Sequence, residues 1–443
     1  MVGQSFRRRF AKDALLFERA YCQEAICMSS RASLLSGLRP DERKIWTNRD
    51  VRPALQDIAL LPQHFREQGY HTVGIGKIAH NSREDPRCWT DPHQMPANAG
   101  FEYRTRAGRA LVEQLQKEAA AAGKPDPFEK IPEKIRRGMA FESLNVGDSD
   151  LGDGQIADEA LAALDRVKDG PFFLAVGFLR PHLPFVAPQS YWDRYDAAAL
   201  PGPESPHFPE GIPAPAKSGS GELLGQYRGL PKKLPLGDAL ERQLRRGYAA
   251  CVSYVDAQIG RVLEGLTERG LAEDTIVVLT SDHGFQLGDH GMWGKATNFE
   301  LATRVPLIIR APGQTTQGKR TDSLVELVGL YPTLCDLAGL PKPDHLQGSS
   351  FAPLLGNPEL PLRTTALSQF PRSGFMGYSL RTAQFRYTEW RSIDDATVSA
   401  IELYDHRTDS QENRNVADLP ENADVIQEHA TLLKQGLGTG IFE

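Results

Sequence analysis

Short β-rich runs alternate with helical patterns along this chain, and few architectures can house that alternation. Strands interleaved with helices pack as a large, mostly parallel sheet flanked by helices. His71-Thr72-Val73-Gly74-Ile75-Gly76 reads as a buried strand, as do Pro171 to Phe178, Thr275 to Thr280 and Val305 to Ile309. Each run is bounded by Gly, Pro or charge. The clearest helix spans Asp238 to Arg269. Its Leu240, Leu244, Tyr248, Val252, Val255, Ile259, Val262 and Leu266 recur at threes and fours and share one face. Asp238 can cap its start and Gly270 its end. A second helix is expected over Gln155 to Val167, with Pro171 opening the next strand. Functional residues in such folds lie just past the carboxyl ends of strands. His80, His182 and Asp282 hold that place after three different strands.

Between Val186 and Gly237 the chain turns rich in Pro, Gly and Ser. A loop this long reads either as a lid over a site or as a plain surface excursion. After Leu355 the character changes. Gly377 to Thr382 and Phe385 to Trp390 read as a hairpin, Glu402-Leu403-Tyr404 as a further strand, and the end as a helix. The expected organisation is a catalytic domain over 1–355 and a C-terminal subdomain over 356–443, with a small antiparallel sheet and a terminal helix.

With 443 residues, 40% hydrophobic and 24% charged, the chain reads as a soluble globular protein. Its net charge of -6 argues against a general nucleic-acid binder, which needs a basic face for phosphates. No apolar run is long enough to cross a bilayer, so no membrane is implied. Arg7-Arg8-Arg9-Phe10 reads as an exposed helix end, because Lys12, Asp13 and Glu18 interrupt any apolar stretch after it. No signal peptide is read at the start, and the compartment stays open. The cysteines Cys22, Cys27, Cys88, Cys251 and Cys335 show no Cys-x-x-Cys spacing, which argues against structural zinc. Cys251 and Cys335 fall in apolar helical patterns and are expected in the core.

Cys27-Met28-Ser29-Ser30-Arg31 runs on through Ala32, Leu34 and Leu35 to Gly37, as a helix opening on a thiol would. A helix N-terminus and Arg31 would both lower that thiol's pKa and favour anions. The same residues also suit a buried thiol beside a salt-bridged arginine. The wider pattern adds to this. Ala20 to Arg39-Pro40 resembles the Cys-x-Pro-x-Arg signature of the formylglycine-dependent sulfatases, with Ser29 where that family usually has Pro. Thr280-Ser281-Asp282-His283-Gly284, Gly294-Lys295 and Thr303 to Ile308 resemble the iduronate-2-sulfatase branch of that family, within the alkaline phosphatase superfamily. So do Gly76-Lys77-Ile78-Ala79-His80, Arg180-Pro181-His182-Leu183-Pro184-Phe185 and Met376 to Thr382.

That resemblance implies a sulfuric ester hydrolase acting on a sulfated carbohydrate or a small organic sulfate. It implies that a maturase converts Cys27 to formylglycine, whose hydrate attacks sulfur and releases the alcohol. Arg31 would orient the nucleophile, and Lys77 and Lys295 would hold the sulfate oxygens. His80 would assist release of sulfate, and His182, with Lys295, would protonate the leaving oxygen. Asp282, His283 and Cys27 would hold a divalent cation, calcium or magnesium; a carboxylate suits either, a nitrogen donor less so. Phe285, Trp293 and Ala296 flank these positions and are candidates for the pocket edge or, for the aromatics, the core. Relatives are usually exported. They also carry paired aspartates on a first strand, upstream of a segment like Phe6 to Tyr21. No Asp-Asp precedes Cys27, and Asp13 reads as part of a helix, so the expectation is an incomplete metal site and a missing first strand. Two alternatives remain: a phosphonate or phosphodiester hydrolase of the same superfamily, and a truncated relative that only binds sulfate.

Overall fold

The computed structural model describes residues 10–437 apart from 49, 81–83, 97–105, 126, 128, 129 and 132. The arginines at 7–9 lie outside the described residues. The elements that build and support the site are, in chain order, β1 (Leu15–Tyr21), α1 (Cys27–Ser36), β2 (His71–Gly76), α2 (Gly152–Val167), β3 (Phe172–Gly177), α3 (Gly221–Gln226), α4 (Asp238–Glu268), β4 (Val277–Thr280), β5 (Arg304–Arg310), β6 (Arg320–Glu326), α5 (Leu330–Ala338), β7 (Ala366–Arg372), β8 (Phe375–Arg381), β9 (Phe385–Ser392), β10 (Val398–Asp405) and α6 (Ala423–Leu437).

The body is an α/β structure with mixed sheet pairing. Its four-stranded sheet runs in the order β6-β1-β5-β4. β1 is parallel to β6, and β5 is antiparallel to both β1 and β4. β2 and β3 pair in parallel beside it. Every strand and helix read from periodicity is present, with ends within a few residues. Three details differ. β1 is a strand between two neighbours, although its Glu18 and Arg19 break the apolar run that would have marked it. Glu18 is matched across the sheet by Arg320 on β6 and Arg304 on β5. Asp13 stands in the bend before β1, not in a helix. Gly237, not Asp238, is the residue before α4, and no side chain caps the helix. Asp238 and Glu241 lie instead in its first turn, where the helix dipole favours acids.

The helices cover the strands because their small and branched residues fall on one face. Ile156, Ala160, Ala163 and Val167 of α2 pack on Val73 and Ile75 of β2. Phe17 of β1 meets Phe351 edge-on at 5.4 Å, within a core that takes in Leu334 and Cys335 of α5. Among the described residues no helix is long and apolar enough to cross a membrane.

Two glycines bring the ends of β2 and β3 together. Gly76 has φ +76°, and a Cβ there would stand 2.2 Å from the Gly177 carbonyl oxygen. The approach lets the Lys77 N–H donate to that oxygen at 2.7 Å, which sets Lys77 at the lip of the sheet.

β7 to β10 form an antiparallel meander in sequence order, and α6 packs on it through Leu433. This C-terminal unit is tied to the body just ahead of α1. The Gln369 N–H donates to the Gln23 carbonyl at 2.7 Å, and the Ser368 hydroxyl donates to the Cys22 carbonyl at 2.6 Å.

Candidate active site

Helix α1 begins at Cys27. Ile26 before it is extended, and Gly37 closes it in the left-handed conformation at φ +71°. Ser29 is the third helical residue, in the turn whose N–H groups have no partner within the helix, so serine and the family's proline suit the same backbone. The Cys27 thiol is buried, with Sγ 3.2 Å from His283 Nε2. Burial pushes its pKa up. Lys295, Lys77 and His283 outweigh that and hold it well below the ordinary thiol range.

Asp282 and His283 follow β4 directly. Arg31, one turn along α1 from Cys27, donates from Nε to Asp282 Oδ2 at 2.7 Å. Its Nη1 donates to the carbonyls of Lys77 and, at 2.9 Å, Ile78. Arg31 therefore clamps α1 to the ends of β2 and β4. Burial acts to raise the Asp282 carboxyl, but Arg31 and His283 bring it down to about 2. His283 Nδ1 faces the Gly284 carbonyl at 2.8 Å, which leaves Nε2 as the ligand atom turned toward residue 27. Donor atoms of Cys27, Asp282 and His283 all lie within 4.8 Å of one another. An ionised carboxylate, an oriented imidazole and residue 27 converging this closely fit a divalent cation.

The remaining predicted residues surround this corner. Lys77 and His80 follow β2 and are buried, and His80 Nδ1 has no hydrogen-bond partner among the described residues. His182 follows β3, with Nδ1 on the Leu183 carbonyl at 2.7 Å. Its Nε2 lies 3.2 Å from Lys295 Nζ. Of the pocket-edge candidates, Trp293 is buried in the core, and Phe285 stacks on Tyr248 at 5.9 Å and meets Phe185 edge-on at 6.1 Å. Both aromatics serve packing. Ala296 packs beside Phe370 and Trp390.

Sequence reasoning missed one residue here, Glu222 on α3. Its carboxylate accepts from Lys295 Nζ at 2.6 Å and lies 3.2 Å from His182 Nε2. Burial acts to raise its pKa, and Lys295 and His182 bring it well below the usual carboxylate range. The excursion between Val186 and Gly237 thus reaches into the site. Nothing in its Pro, Gly and Ser content singled out this glutamate.

Two lysines and two histidines surround the buried Cys27 thiol beside the Asp282–His283 pair, an arrangement whose positive charge suits an ester of a tetrahedral oxyanion. The sulfatase family profile matches residues 4–340, and the profile of the N-sulphoglucosamine sulphohydrolase C-terminal region matches residues 288–437. The chain belongs to the sulfatase family and is a sulfuric ester hydrolase. It is 31% identical to the iduronate 2-sulfatase of Mus musculus, over 92% of this chain and 85% of that protein. Its fold is similar to the phosphonate monoester hydrolase of Silicibacter pomeroyi, with a TM-score of 0.74 and 26% identity over 98% of this chain and 90% of that one. A structure solved with its substrate D-glucosamine-2-N,6-O-disulfate shares the fold at a TM-score of 0.75, with 22% identity over 97% of this chain and 91% of that one.

Proposed function

We propose that this enzyme cleaves sulfate from a sulfated sugar, through a formylglycine made from Cys27 and with calcium or magnesium at the adjoining corner. The observation that carries the reading is the convergence on Cys27 of His283 at 3.2 Å and of the positive charges of Lys77 and Lys295. The sugar assignment rests on similarity to iduronate 2-sulfatase over most of both chains.

Formylglycine, once formed, supplies an oxygen nucleophile in place of the thiol. Asp282, His283 and residue 27 would hold the cation, which would supply charge stabilisation at the sulfate oxygens. Lys77 and Lys295 bind those oxygens from two sides. Arg31 keeps Asp282 and the Lys77–Ile78 backbone in register with α1. His182 presents Nε2 to the leaving oxygen while Leu183 holds its other nitrogen, so the ring can deliver a proton without turning. His80, past the end of the neighbouring parallel strand β2, takes the proton that must leave the nucleophile for sulfate to depart.

The test is sulfate release from nitrophenyl sulfate and from sulfated monosaccharides, using protein co-produced with a formylglycine-forming maturase. Wild-type protein is expected to release sulfate and to carry an aldehyde at position 27 by peptide mass. Cys27→Ala is expected to lose turnover altogether, and retained turnover removes the nucleophile assignment. The similarity to a phosphonate monoester hydrolase favours one second reading, a phosphonate or phosphodiester substrate in the same site. Faster turnover of a paired phosphonate ester selects it.

A further inference from the structure

Glu222 reaches the site by construction. The residues leading into it are pinned to both sides of Lys295. The Ser220 hydroxyl, two residues before Glu222, accepts from the Trp293 N–H at 2.8 Å, two residues before Lys295. Arg372, at the end of β7, donates to the carbonyls of Lys217 and Ala296, so one guanidinium spans the excursion and the residue after Lys295. Leu223 and Leu224 of α3 are buried in the same cluster as Trp293. These ties set α3 against Lys295 whether or not the carboxylate is present.

A half-buried carboxylate beside a buried ammonium needs a reason in a site that binds anions. It offsets the charge that would otherwise go to the ligand, and burying the pair costs desolvation. Here it also meets His182, on the side from which the leaving oxygen is protonated. We propose that Glu222 is a positioning residue: it holds the Lys295 ammonium beside His182 and keeps that lysine from closing wholly onto the sulfate. Lys295 then stays shared between the ester and the proton donor. This rests on the roles given above to Lys295 and His182. A lysine released from Glu222 binds the bound ester and free sulfate more tightly. That gain is made in the ground state and is not matched in the transition state, so it slows turnover.

Glu222→Gln separates this from a purely structural role. Calorimetric titration with inorganic sulfate is expected to show binding about tenfold tighter than in wild type, as fits the release of one charged hydrogen bond. On a sugar sulfate KM is expected to fall and kcat to fall with it. Glu222→Asp keeps the charge on a shorter arm, and the same signs are expected at smaller size; its sulfate titration decides the matter if the glutamine variant does not fold. Weaker sulfate binding with a raised KM in either variant overturns the proposal and leaves Glu222 as scaffold. Unchanged binding overturns it equally. The sulfate titration needs no turnover, so it judges Glu222 even if wild-type protein hydrolyses no sulfate ester.

Discussion

Glu402 is a carboxyl that the fold makes harder to ionise. It is wholly buried on β10 and accepts from Trp390 Nε1 at 2.7 Å and the Tyr404 hydroxyl at 2.6 Å. Burial pushes its pKa up to about 7, more than those two bonds can offset. The folded value stands above the unfolded one, so the native state keeps a proton that the unfolded chain has lost. Its stability contribution is full below the unfolded pKa, near 4.5, and is lost as pH rises through about 7. Glu402→Gln removes that dependence. Denaturant unfolding of both proteins between about pH 5 and about pH 8 is expected to show the variant gaining roughly 2–3 kcal/mol relative to wild type. Parallel curves would mean that Glu402 ionises without penalty. Such a residue is not readable in sequence. Cys27, Arg31, Asp282 and Lys295 were, because short motifs carry them.

The C-terminal strands are bolted to the body by buried charge. Arg386 of β9 donates to Glu300 Oε2 and to Glu412 Oε1, each at 2.5 Å. Arg381 of β8 reaches Glu300 at 3.2 Å, and His406 reaches Glu412 at 2.9 Å. Donor atoms of Glu300, His406 and Glu412 lie close enough together for a cation, but arginines already hold both carboxylates. Arg386→Met is expected to leave two buried carboxylates short of positive charge and to cost about 3–5 kcal/mol, read as a lowered denaturant midpoint. A loss under about 1 kcal/mol would show that the network contributes little beyond its own desolvation. The hairpin of β8 and β9 was legible from alternation and turn residues. Its attachment was not, because Glu300 and Arg386 are 86 residues apart.

The cation corner joins segments that are distant along the chain, since Cys27 and His283 are 256 residues apart. Anything bound there stabilises the whole molecule by mass action. Calcium is expected to raise the melting temperature of the wild-type protein by a few degrees and to leave Asp282→Asn unmoved. Absence of a rise in wild type, with magnesium also tried, removes the cation assignment. The C-terminal unit takes part in this too, since β7 bonds to Cys22 and Gln23 just ahead of α1. The boundary proposed at 355/356 therefore falls between segments that both support helix α1.

Local pattern was enough for the alternation of strands and helices, the opening of α1 at Cys27 and the placing of Asp282 and His283 after β4. Each depends on residues within a window of a few turns, where periodicity and turn chemistry act directly. The strand β1 and the reach of Glu222 were beyond such a window. Glu18 is tolerable inside a sheet only because Arg320 and Arg304 arrive on neighbouring strands. Glu222 acquires a role only because Ser220 and Arg372 fasten its loop to the flanks of Lys295. Charges gain their meaning from the partner that folding places beside them, and that partner lies far away in the chain.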